Sequence, residues 1–367
     1  MFPFSQSKKV WLLGGTLFLT TFAAFNPNLS EAEAALLVGN SRGNNVVQFD
    51  ETTGDYLGEF IPGDRGLIEP DTLLFGPDGN LYVSSGTTPE NSAIFRFDGE
   101  TGEFIDKFAS GGGLFRPYGI AFGPDNNLYV SSFLTDQILR YDGETGEFLD
   151  VFAQGTATAD GLNGPNGLLF GPDGALYVTT QGSVAENGTP VFRFESQVLR
   201  YNIATGVGEV FIEQPEPSPS SFGFVSFLGL AINPADGDLY VSDFANDIRQ
   251  YDFETGSLLG SISTNYTGTQ PSNNFIGSLG FGPDGNLFAV GFDFTQDNIG
   301  SILRYDGNSG LPLPGMGNGG ALFVANSDFL QRPIGLTFAP ESVPEPGMVL
   351  GLLVFLPVAM SLRKKVV

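Results

Sequence analysis

The chain has 367 residues, of which 41 are acidic and 16 are Lys or Arg, so its formal net charge is -25. A surface this acidic repels nucleic acid and anionic lipid head groups, and neither is expected as a partner. The sequence contains no histidine and no cysteine, which excludes a histidine base, a Ser-His-Asp arrangement and any disulfide. A large apolar core must therefore hold the fold, and 35 Phe residues supply material for it.

The first 34 residues have the features of a secretory signal peptide. Two lysines precede an apolar stretch from Val10 to Phe25, and Ala32-Glu33-Ala34 supplies the small-x-small pattern of a signal peptidase site. We therefore predict that residues 1–34 are a signal peptide, that cleavage follows Ala34, and that the exported chain starts near Ala35.

An internal repeat organises the rest of the chain. The segment Phe75-Gly-Pro-Asp-Gly-Asn-Leu-Tyr-Val-Ser-Ser85 recurs at 122–132 and 170–180, and in looser form at 232–243 and 281–291. The first three copies are 47 and 48 residues apart, a period typical of propeller blades. A second motif, Asp/Asn-x-x-Thr/Ser-Gly, indicates six units. Its six copies begin at Asp50, Asp98, Asp142, Asn202, Asp252 and Asp306.

Each unit is predicted to contain four short strands, shown best in the third unit at 118–122, 127–131, 138–141 and 148–152. Gly-Pro-Asp-Gly joins the first two strands, because proline presets φ, aspartate suits the next turn position and glycine tolerates left-handed geometry. Asp-x-x-Thr-Gly joins the last two strands for similar reasons. Units of this kind build a propeller rather than a helical solenoid.

The two ends of the repeat region complement each other. Residues 36–39, 46–49 and 57–60 fit strands two, three and four of a unit, whereas Pro333–Phe338 repeats strand one. We therefore predict an all-β, six-bladed β-propeller of four-stranded blades over residues 35–341. Its ring is closed by the N-terminal strands at 36–60 pairing with the C-terminal strand at 333–338.

Over residues 36–341 the chain resembles the NHL-type six-bladed propellers. The segments Val241-Ser-Asp243 and Asn246-Asp-Ile-Arg249 are the nearest match to the family's pattern, from which other blades depart. Two enzyme families have similar propellers. Gluconolactonase-like hydrolases hold a metal at the channel mouth with a carboxylate and an amide, and virginiamycin lyase-like enzymes use a histidine base, which this chain lacks.

Loop length distinguishes one face of the predicted propeller. The two tight turns of each unit lie on one face, while the connections from strand two to strand three and from unit to unit lie on the other. We assign every long insertion to the second face: 181–197, 213–225, 264–275, 291–300 and 311–331. Binding surfaces are commonly built from loops on a rigid scaffold, so we place the functional site there. Tolerated drift in surface loops is the alternative explanation.

Strand one supplies the residues at the channel mouth of that face. Alignment of the units places there Asp71, Tyr118, Asn166, Leu228, Gly277 and Ile334. Asp71, Tyr118 and Asn166 are the candidate ligand-binding residues, joined by Asp243 if its loop folds inward. Asp71 and Asn166 could each offer an oxygen to Ca²⁺ or Zn²⁺, but further ligands are not apparent. The plainer interpretation is that both bond to turn amides or water.

A second candidate cation site lies in an inserted loop. The stretch Asp293-Phe-Thr-Gln-Asp-Asn298 offers several oxygen-bearing side chains, with Asp293 and Asp297 as the candidate ligands. The aspartates of the Gly-Pro-Asp-Gly turns, such as Asp78, lack the alternating ligands of a calcium loop, and turn chemistry explains them. No cofactor is assigned beyond these candidate Ca²⁺ or Zn²⁺ sites.

Residues 342–367 form a predicted sorting tail. Pro344-Glu345-Pro346 precedes an apolar run from Gly347 to Leu362, and Arg363, Lys364 and Lys365 follow it. This order resembles the PEP-CTERM signal of Gram-negative and cyanobacterial surface proteins, which implies processing by an exosortase. At about 1.5 Å per residue the run spans roughly 24 Å of a bilayer core of about 30 Å. That length, interrupted by Pro357, suits transient membrane insertion, and a permanent helix is the alternative.

These observations favour an exported, exosortase-sorted, non-enzymatic propeller at the cell surface, the outer membrane or the extracellular matrix. It would act as a binding or structural module. The sorting resemblance implies a polysaccharide as ligand, and another surface protein is the other partner class. The alternative function is a metal-dependent gluconolactonase-like hydrolase of a lactone or ester, with its site at the channel mouth. A purely structural spacer in the matrix is a third.

Overall fold

The structure, a computed structural model, describes residues 35–340. The predicted signal peptide with its Ala34 cleavage site and the predicted sorting tail, including Pro344–Pro346 and Arg363–Lys365, lie outside the described residues. Within residues 35–340, no helix is long and apolar enough to cross a membrane. This part of the chain is almost entirely β-structure, with one short 3₁₀ turn at Phe133–Thr135.

Most strands belong to six antiparallel four-stranded sheets, the blades, which are numbered here in chain order. In pairing order, blade 1 contains β26 (Pro333–Phe338), β1 (Ala35–Asn40), β2 (Asn45–Asp50) and β3 (Tyr56–Ile61). Blade 2 contains β4 (Leu73–Phe75), β5 (Leu81–Ser85), β6 (Ala93–Phe97) and β7 (Phe104–Ser110). Blade 3 contains β8 (Pro117–Phe122), β9 (Asn127–Ser132), β10 (Gln137–Asp142) and β11 (Phe148–Gln154).

The other three blades follow the same plan. Blade 4 contains β12 (Pro165–Phe170), β13 (Leu176–Thr180), β16 (Val198–Asn202) and β17 (Val207–Ile212), with an inserted hairpin of β14 (Ser183–Glu186) and β15 (Thr189–Phe192). Blade 5 contains β18 (Phe227–Ile232), β19 (Leu239–Asp243), β20 (Ile248–Tyr251) and β21 (Leu258–Ile262). Blade 6 contains β22 (Asn274–Phe281), β23 (Leu287–Asp293), β24 (Ile299–Tyr305) and β25 (Leu322–Gln331).

The ring is closed by both ends of the described chain. β1 pairs antiparallel with β26, so that Val38 lies opposite Leu336 and Gly39 opposite Gly335. The predicted six-bladed propeller and its mode of closure are therefore confirmed. Because all six sheets and the closing pair lie within residues 35–338, this fragment contains the whole ring.

The apolar core lies between the blades. Each of the six buried apolar clusters in the described chain combines residues from two neighbouring blades. Phe122 and Phe281, which each precede a Gly-Pro-Asp turn, pack edge-on against the strand-two tyrosine of the preceding blade. Ring centroids are 5.0 Å apart for Tyr82 and Phe122 and 5.2 Å apart for Tyr240 and Phe281. These aromatic contacts join adjacent blades without a disulfide.

The Asp-x-x-Thr-Gly segments form the predicted turns between strands three and four. In blade 2, Oδ1 of Asp98 accepts hydrogen bonds from the Thr101 backbone N–H at 2.8 Å and from its hydroxyl at 2.9 Å. Gly102 follows with φ +69°, a left-handed conformation that glycine adopts without a steric penalty. These contacts lower the pKa of Asp98.

One expectation about the loops is wrong. The long insertion in blade 6 lies between strands three and four, on the tight-turn face, and residues 322–331 are strand rather than loop. After the turn at Asp306, the chain makes a single bridge between Tyr305 and Pro312 and then leaves the sheet. Prolines at 312 and 314 cannot donate ladder hydrogen bonds, and Leu322 takes the place opposite Leu303.

Candidate functional site

A cavity of about 1090 Å³ occupies the propeller channel. Its wall is formed by strand one of the blades, and it extends from the loop face toward the Gly-Pro-Asp-Gly turns at Phe281 and Gly282. At the loop face it is bordered by inter-blade connections and by the blade 4 insertion, represented by Gln181 and Phe192. The predicted functional face and the cavity mouth therefore coincide in space.

Five of the six residues predicted at the mouth line this cavity, namely Asp71, Tyr118, Asn166, Leu228 and Ile334. At the sixth position the neighbouring Ser278, not Gly277, contributes to the wall. The structure thus brings Asp71, Tyr118 and Asn166 together around one space, as the alignment of the repeats predicts.

Strand-two hydroxyl groups hold the mouth residues in place. The Ser131 hydroxyl accepts a hydrogen bond from the Gly119 N–H at 2.7 Å and donates one to the Asn166 carbonyl of the next blade at 2.7 Å. In the same way Ser84 donates to the Tyr118 carbonyl at 2.6 Å. Both hydroxyls are buried, so each hydrogen bond fixes one blade against its neighbour at the level of the mouth.

Asp243 does not join the mouth. It is fully buried in blade 5, where Oδ1 accepts from the backbone N–H groups of Ser226 at 2.9 Å and Ala245 at 3.1 Å. Its other oxygen lies 3.3 Å from the guanidinium of Arg249, which is also buried. Burial raises the pKa of Asp243 to about 6, although these partners oppose the shift. The predicted fourth mouth residue therefore has a structural environment and is absent from the cavity wall.

Three charged residues at the mouth, Glu69, Arg116 and Arg332, were not predicted from the sequence. Each directly precedes a proline, and each has a positive φ, of 45°, 55° and 53° respectively. Two of these prolines begin strand one, in β8 and β26, and the third lies three residues before β4. This conformation is uncommon for residues other than glycine. At the equivalent place in blade 4 the chain has Gly164, with φ +65°. A signal for these residues is present in the sequence: a proline recurs ahead of strand one, and the charged residue is the one directly before that proline.

Arg116 ties blades 2 and 3 together at the mouth. Its Nε donates to the Tyr118 hydroxyl at 2.8 Å and its Nη2 pairs with Glu69 Oε2 at 2.8 Å. Burial works to lower the pKa of Arg116, but Tyr118 and Glu69 outweigh it and the net shift is upward. Burial also raises the pKa of Tyr118, so its hydroxyl keeps its proton at neutral pH. Arg116 is consequently a fixed cation, with its Nε and Nη2 each engaged in a hydrogen bond.

Asp71, unlike Arg116, has no partner for its charged group among the described residues. It is half-buried in the channel wall, and its carboxylate has no hydrogen bond or ion pair with any other residue of the described chain. Burial raises its pKa to about 7; Arg116 and Arg332 pull the pKa down and Glu69 pushes it up. Arg332 likewise forms no ion pair within residues 35–340, and its closest polar side-chain contact is the Ser41 hydroxyl at 3.5 Å. The two groups influence each other across open space.

Asn166 is a third polar group facing the cavity. It is only 6% exposed, yet no hydrogen bond to its side-chain amide is made from within the described chain. Its amide reaches the cavity space, where water or a ligand can supply the hydrogen bonds that the chain does not. Asp71 and Asn166 therefore do not bond to turn amides, so the plainer interpretation of the sequence, which named turn amides or water, keeps only water as a partner.

The mouth does not fit a metal ion well. Within residues 35–340, no three His, Cys, Asp or Glu side chains converge on a point where a cation could sit. Asp71 and Asn166 supply one carboxylate and one amide, and the guanidinium groups of Arg116 and Arg332 border the same space. Two nearby cations oppose the binding of a third positive charge.

The second candidate cation site is not assembled either. Asp293 uses its carboxylate within its own turn, accepting from the Thr295 N–H at 2.8 Å and from the Gln296 amide at 2.7 Å. Asp297 is exposed and pairs with Arg42 of blade 1 at 2.9 Å. The two carboxylates thus have separate partners.

An aromatic wall stands on the blade 4 and blade 5 side of the mouth. Phe192, Phe194, Phe224 and Phe244 line the cavity there. Phe192 is 63% exposed and Phe224 40%, so both present apolar surface to solvent. Phe244 stacks on Phe275 with centroids 4.4 Å apart, which holds this part of the wall rigid. The mouth therefore combines a polar side with an apolar side.

Comparison with known proteins supports the fold. No family model and no curated protein matches the sequence. The chain is similar to one in the crystal structure of a nidogen/laminin complex, with a TM-score of 0.56 and 14% identity over 84% of this chain and 99% of that one. It is also similar to a Bacteroides caccae protein of unknown function, with a TM-score of 0.55 and 15% identity over 84% and 100%.

Virginiamycin B lyase from Staphylococcus aureus is a third similar structure, with a TM-score of 0.50 and 15% identity over 84% of this chain and 89% of that one. At such identities the likeness shows a propeller-type fold and nothing about activity. The chain has no histidine, so a histidine base is excluded whatever the fold resembles.

Proposed function

We propose that the protein is an exported binding module, not an enzyme, and that it holds its ligand at the channel mouth. One observation carries this proposal: Asp71 and Asn166 face a large cavity with their side-chain polar groups unpartnered within the described chain, and an exposed aromatic wall lines the same cavity. Concave sites with a few convergent polar groups and an apolar lining are typical of ligand-binding pockets.

The backbone at the mouth supports the same proposal. Glu69, Arg116 and Arg332 keep a left-handed conformation that glycine would adopt more cheaply, as Gly164 does in blade 4. Such a conformation costs a non-glycine residue about 1–2 kcal/mol. Glu69 and Arg116 pair with each other between blades, whereas Arg332 keeps this conformation with no ion pair within residues 35–340, which favours a role for Arg332 in recognition.

The alternative function is a metal-dependent, gluconolactonase-like hydrolase. The pairing of a carboxylate, Asp71, with an amide, Asn166, at the channel mouth is the observation in its favour. Against it stand the two arginines beside them and the missing third ligand in the described chain. We therefore rank binding first.

Export and sorting are part of the proposal and rest on sequence. The signal peptide at 1–34 would direct the chain across the inner membrane, and the tail at 342–367 would be processed by an exosortase-like enzyme after transient insertion. The propeller, of NHL type by its sequence resemblance, would then act at the cell surface, the outer membrane or in the extracellular matrix. Polysaccharide and surface protein are the two partner classes.

The test uses the ring, residues 35–341, beside an Asp71→Ala/Asn166→Ala variant. Each is immobilised and exposed to surface polysaccharide and to detergent-extracted surface protein from the producing cells. Binding by the parent that the variant loses is expected. Equal binding by both would overturn the assignment of the mouth. Calorimetric titration of Ca²⁺, Zn²⁺ and Mg²⁺ tests the alternative: micromolar binding lost in the variant, together with lactone hydrolysis, would favour the hydrolase.

A further inference from the structure

Two charged groups at the mouth, the hydrogen-bond acceptor Asp71 and the donor Arg332, do not contact each other. The carboxylate of Asp71 and the guanidinium of Arg332 both line the cavity and form no ion pair with each other. Asn166, on the same wall, can both donate and accept. A ligand that fits this arrangement must itself donate to Asp71 and accept from Arg332. Neighbouring hydroxyl groups do both, because each hydroxyl has one donor and two acceptor positions.

Charge argues against an ionic ligand. Glu69 balances Arg116 through a direct ion pair, and Asp71, once ionised above its pKa of about 7, offsets Arg332, so above that pH neither sign of charge is in excess at the mouth. The whole chain carries a formal charge of -25, which repels an approaching anion. An incoming cation would meet the fixed charges of Arg116 and Arg332. The electrostatics therefore favour a neutral polar ligand.

The volume of the cavity and its apolar surface further restrict the chemical class of the ligand. The cavity of about 1090 Å³ lies just above the ~300–1,000 Å³ that small-molecule sites occupy, so it can admit the end of a chain but not a folded protein surface. The exposed rings of Phe192 and Phe224 lie across from the polar side. A sugar ring has hydroxyl groups at its edge and C–H groups on its faces, and can therefore meet both sides at once.

We propose that the channel mouth binds the end of an uncharged polysaccharide, with neighbouring hydroxyls bridging Asp71 and Arg332 and a sugar face against the aromatic wall. This inference rests on the proposed function, of which it names the ligand class. Asn166 contacts a further hydroxyl. Phe224 and Phe192 contribute apolar contact with the sugar face, and they do not select which hydroxyl groups the sugar carries.

The experiment measures binding of the full chain to a glycan array. The chain is kept in a detergent without a sugar head group, because such a head group would compete for the site. The array carries neutral glycans of different linkage, uronate-containing glycans, and unrelated peptides as a third arm. Affinity for the neutral glycans that score is then measured by calorimetry. We expect binding confined to the neutral arm and a loss of about tenfold or more in Asp71→Asn and in Arg332→Gln.

Controls separate recognition from folding. Asp125 lies in the Gly-Pro-Asp-Asn turn at 123–126 on the opposite face, so Asp125→Asn should bind like the parent. If Arg332→Gln fails to fold, Asn166→Ala and Phe224→Ala provide the same test, with thermal unfolding as the check. Binding to uronate glycans or peptides alone, with the same loss in Asp71→Asn, overturns the neutral-sugar inference and leaves the binding function standing. No binding to any neutral glycan, or binding indifferent to all mouth variants, also overturns the inference.

Discussion

A Cβ atom added to Gly335 would lie 1.9 Å from the backbone oxygen of Asp71. Gly335 belongs to the closing strand β26, and Asp71 stands at the mouth in blade 2, so this close approach joins ring closure to the candidate site. The same relationship recurs between Gly119 and the Asn166 oxygen, where an added Cβ would come within 2.2 Å. The first strands can surround the channel this tightly because glycine follows the mouth residue.

Gly335→Ala should therefore destabilise the ring. The methyl group meets backbone rather than a flexible side chain, so one blade must shift, and a cost of about 1–3 kcal/mol is expected for such overpacking. Denaturant unfolding of residues 35–341 measures it. Gly319→Ala is the matched control, because nothing lies within 4 Å of its added Cβ and its φ is not left-handed. Equal stability of the two variants would contradict the packing argument.

Ser131→Ala should destabilise the propeller by about 1–3 kcal/mol, because it leaves the buried Gly119 N–H and one Asn166 carbonyl interaction unsatisfied. It should also weaken ligand binding, since the Asn166 backbone loses its restraint. Ser261→Ala, at an exposed position on outer strand β21, serves as control. A Ser131→Ala protein as stable as this control would show that the hydroxyl bridge contributes little.

The blades and their closure could be predicted from the sequence because the information is repeated. Six copies of Asp-x-x-Thr-Gly and five of the strand-one and strand-two segment fix the number and order of strands. Side chains alternate along a strand, so aligning the copies also identified Asp71, Tyr118 and Asn166 as neighbours around the channel. The last insertion, 311–331, was assigned to the wrong face because the prolines at 312 and 314 interrupt the ladder directly after the turn, and strand four begins only at Leu322.

The charged part of the mouth could not be found in the same way. Glu69, Arg116 and Arg332 stand before strand one rather than in it, where alternation does not apply and a left-handed backbone places the side chain at the cavity. Asp243 failed for a different reason. A carboxylate at the end of strand two can face either the channel or the interior of its own blade. The buried Arg249, six residues later, pairs with Asp243 and holds the carboxylate inside the blade.

Asp71 should make stability depend on pH in a direction unusual for a carboxylate. Its pKa is about 7 in the folded protein against an ordinary 3.8, so between these values the folded state holds a proton that the unfolded state has released. Stability from this group is then present below pH 4, falls as pH rises to 7 and is flat above that. Burial causes the shift; Arg116, Arg332, Glu69 and Tyr118 are the charged or titratable groups facing it.

The Asp71→Asn variant isolates that contribution. One pKa unit corresponds to about 1.4 kcal/mol, and water in the channel reduces the total, so the variant should gain about 1–3 kcal/mol over the parent between pH 4 and pH 8. Urea unfolding across this range measures the difference. Asp98→Asn is the control of opposite sign, since the pKa of Asp98 is lowered and its contribution is lost as pH falls. A pH-independent difference for Asp71→Asn would refute the assignment.

Phe224→Ala should weaken ligand binding several-fold while leaving the thermal midpoint nearly unchanged. The ring is 40% exposed and lines the cavity, so truncation removes contact area available to a ligand more than contact within the core. Phe104→Ala provides the comparison, because Phe104 is 46% exposed on outer strand β7, away from the channel wall. Calorimetric affinity for the ligand identified on the array, with differential scanning fluorimetry for stability, separates the two effects. If both variants bind equally well, the aromatic wall does not contact the ligand, and recognition must depend on the polar side of the mouth alone.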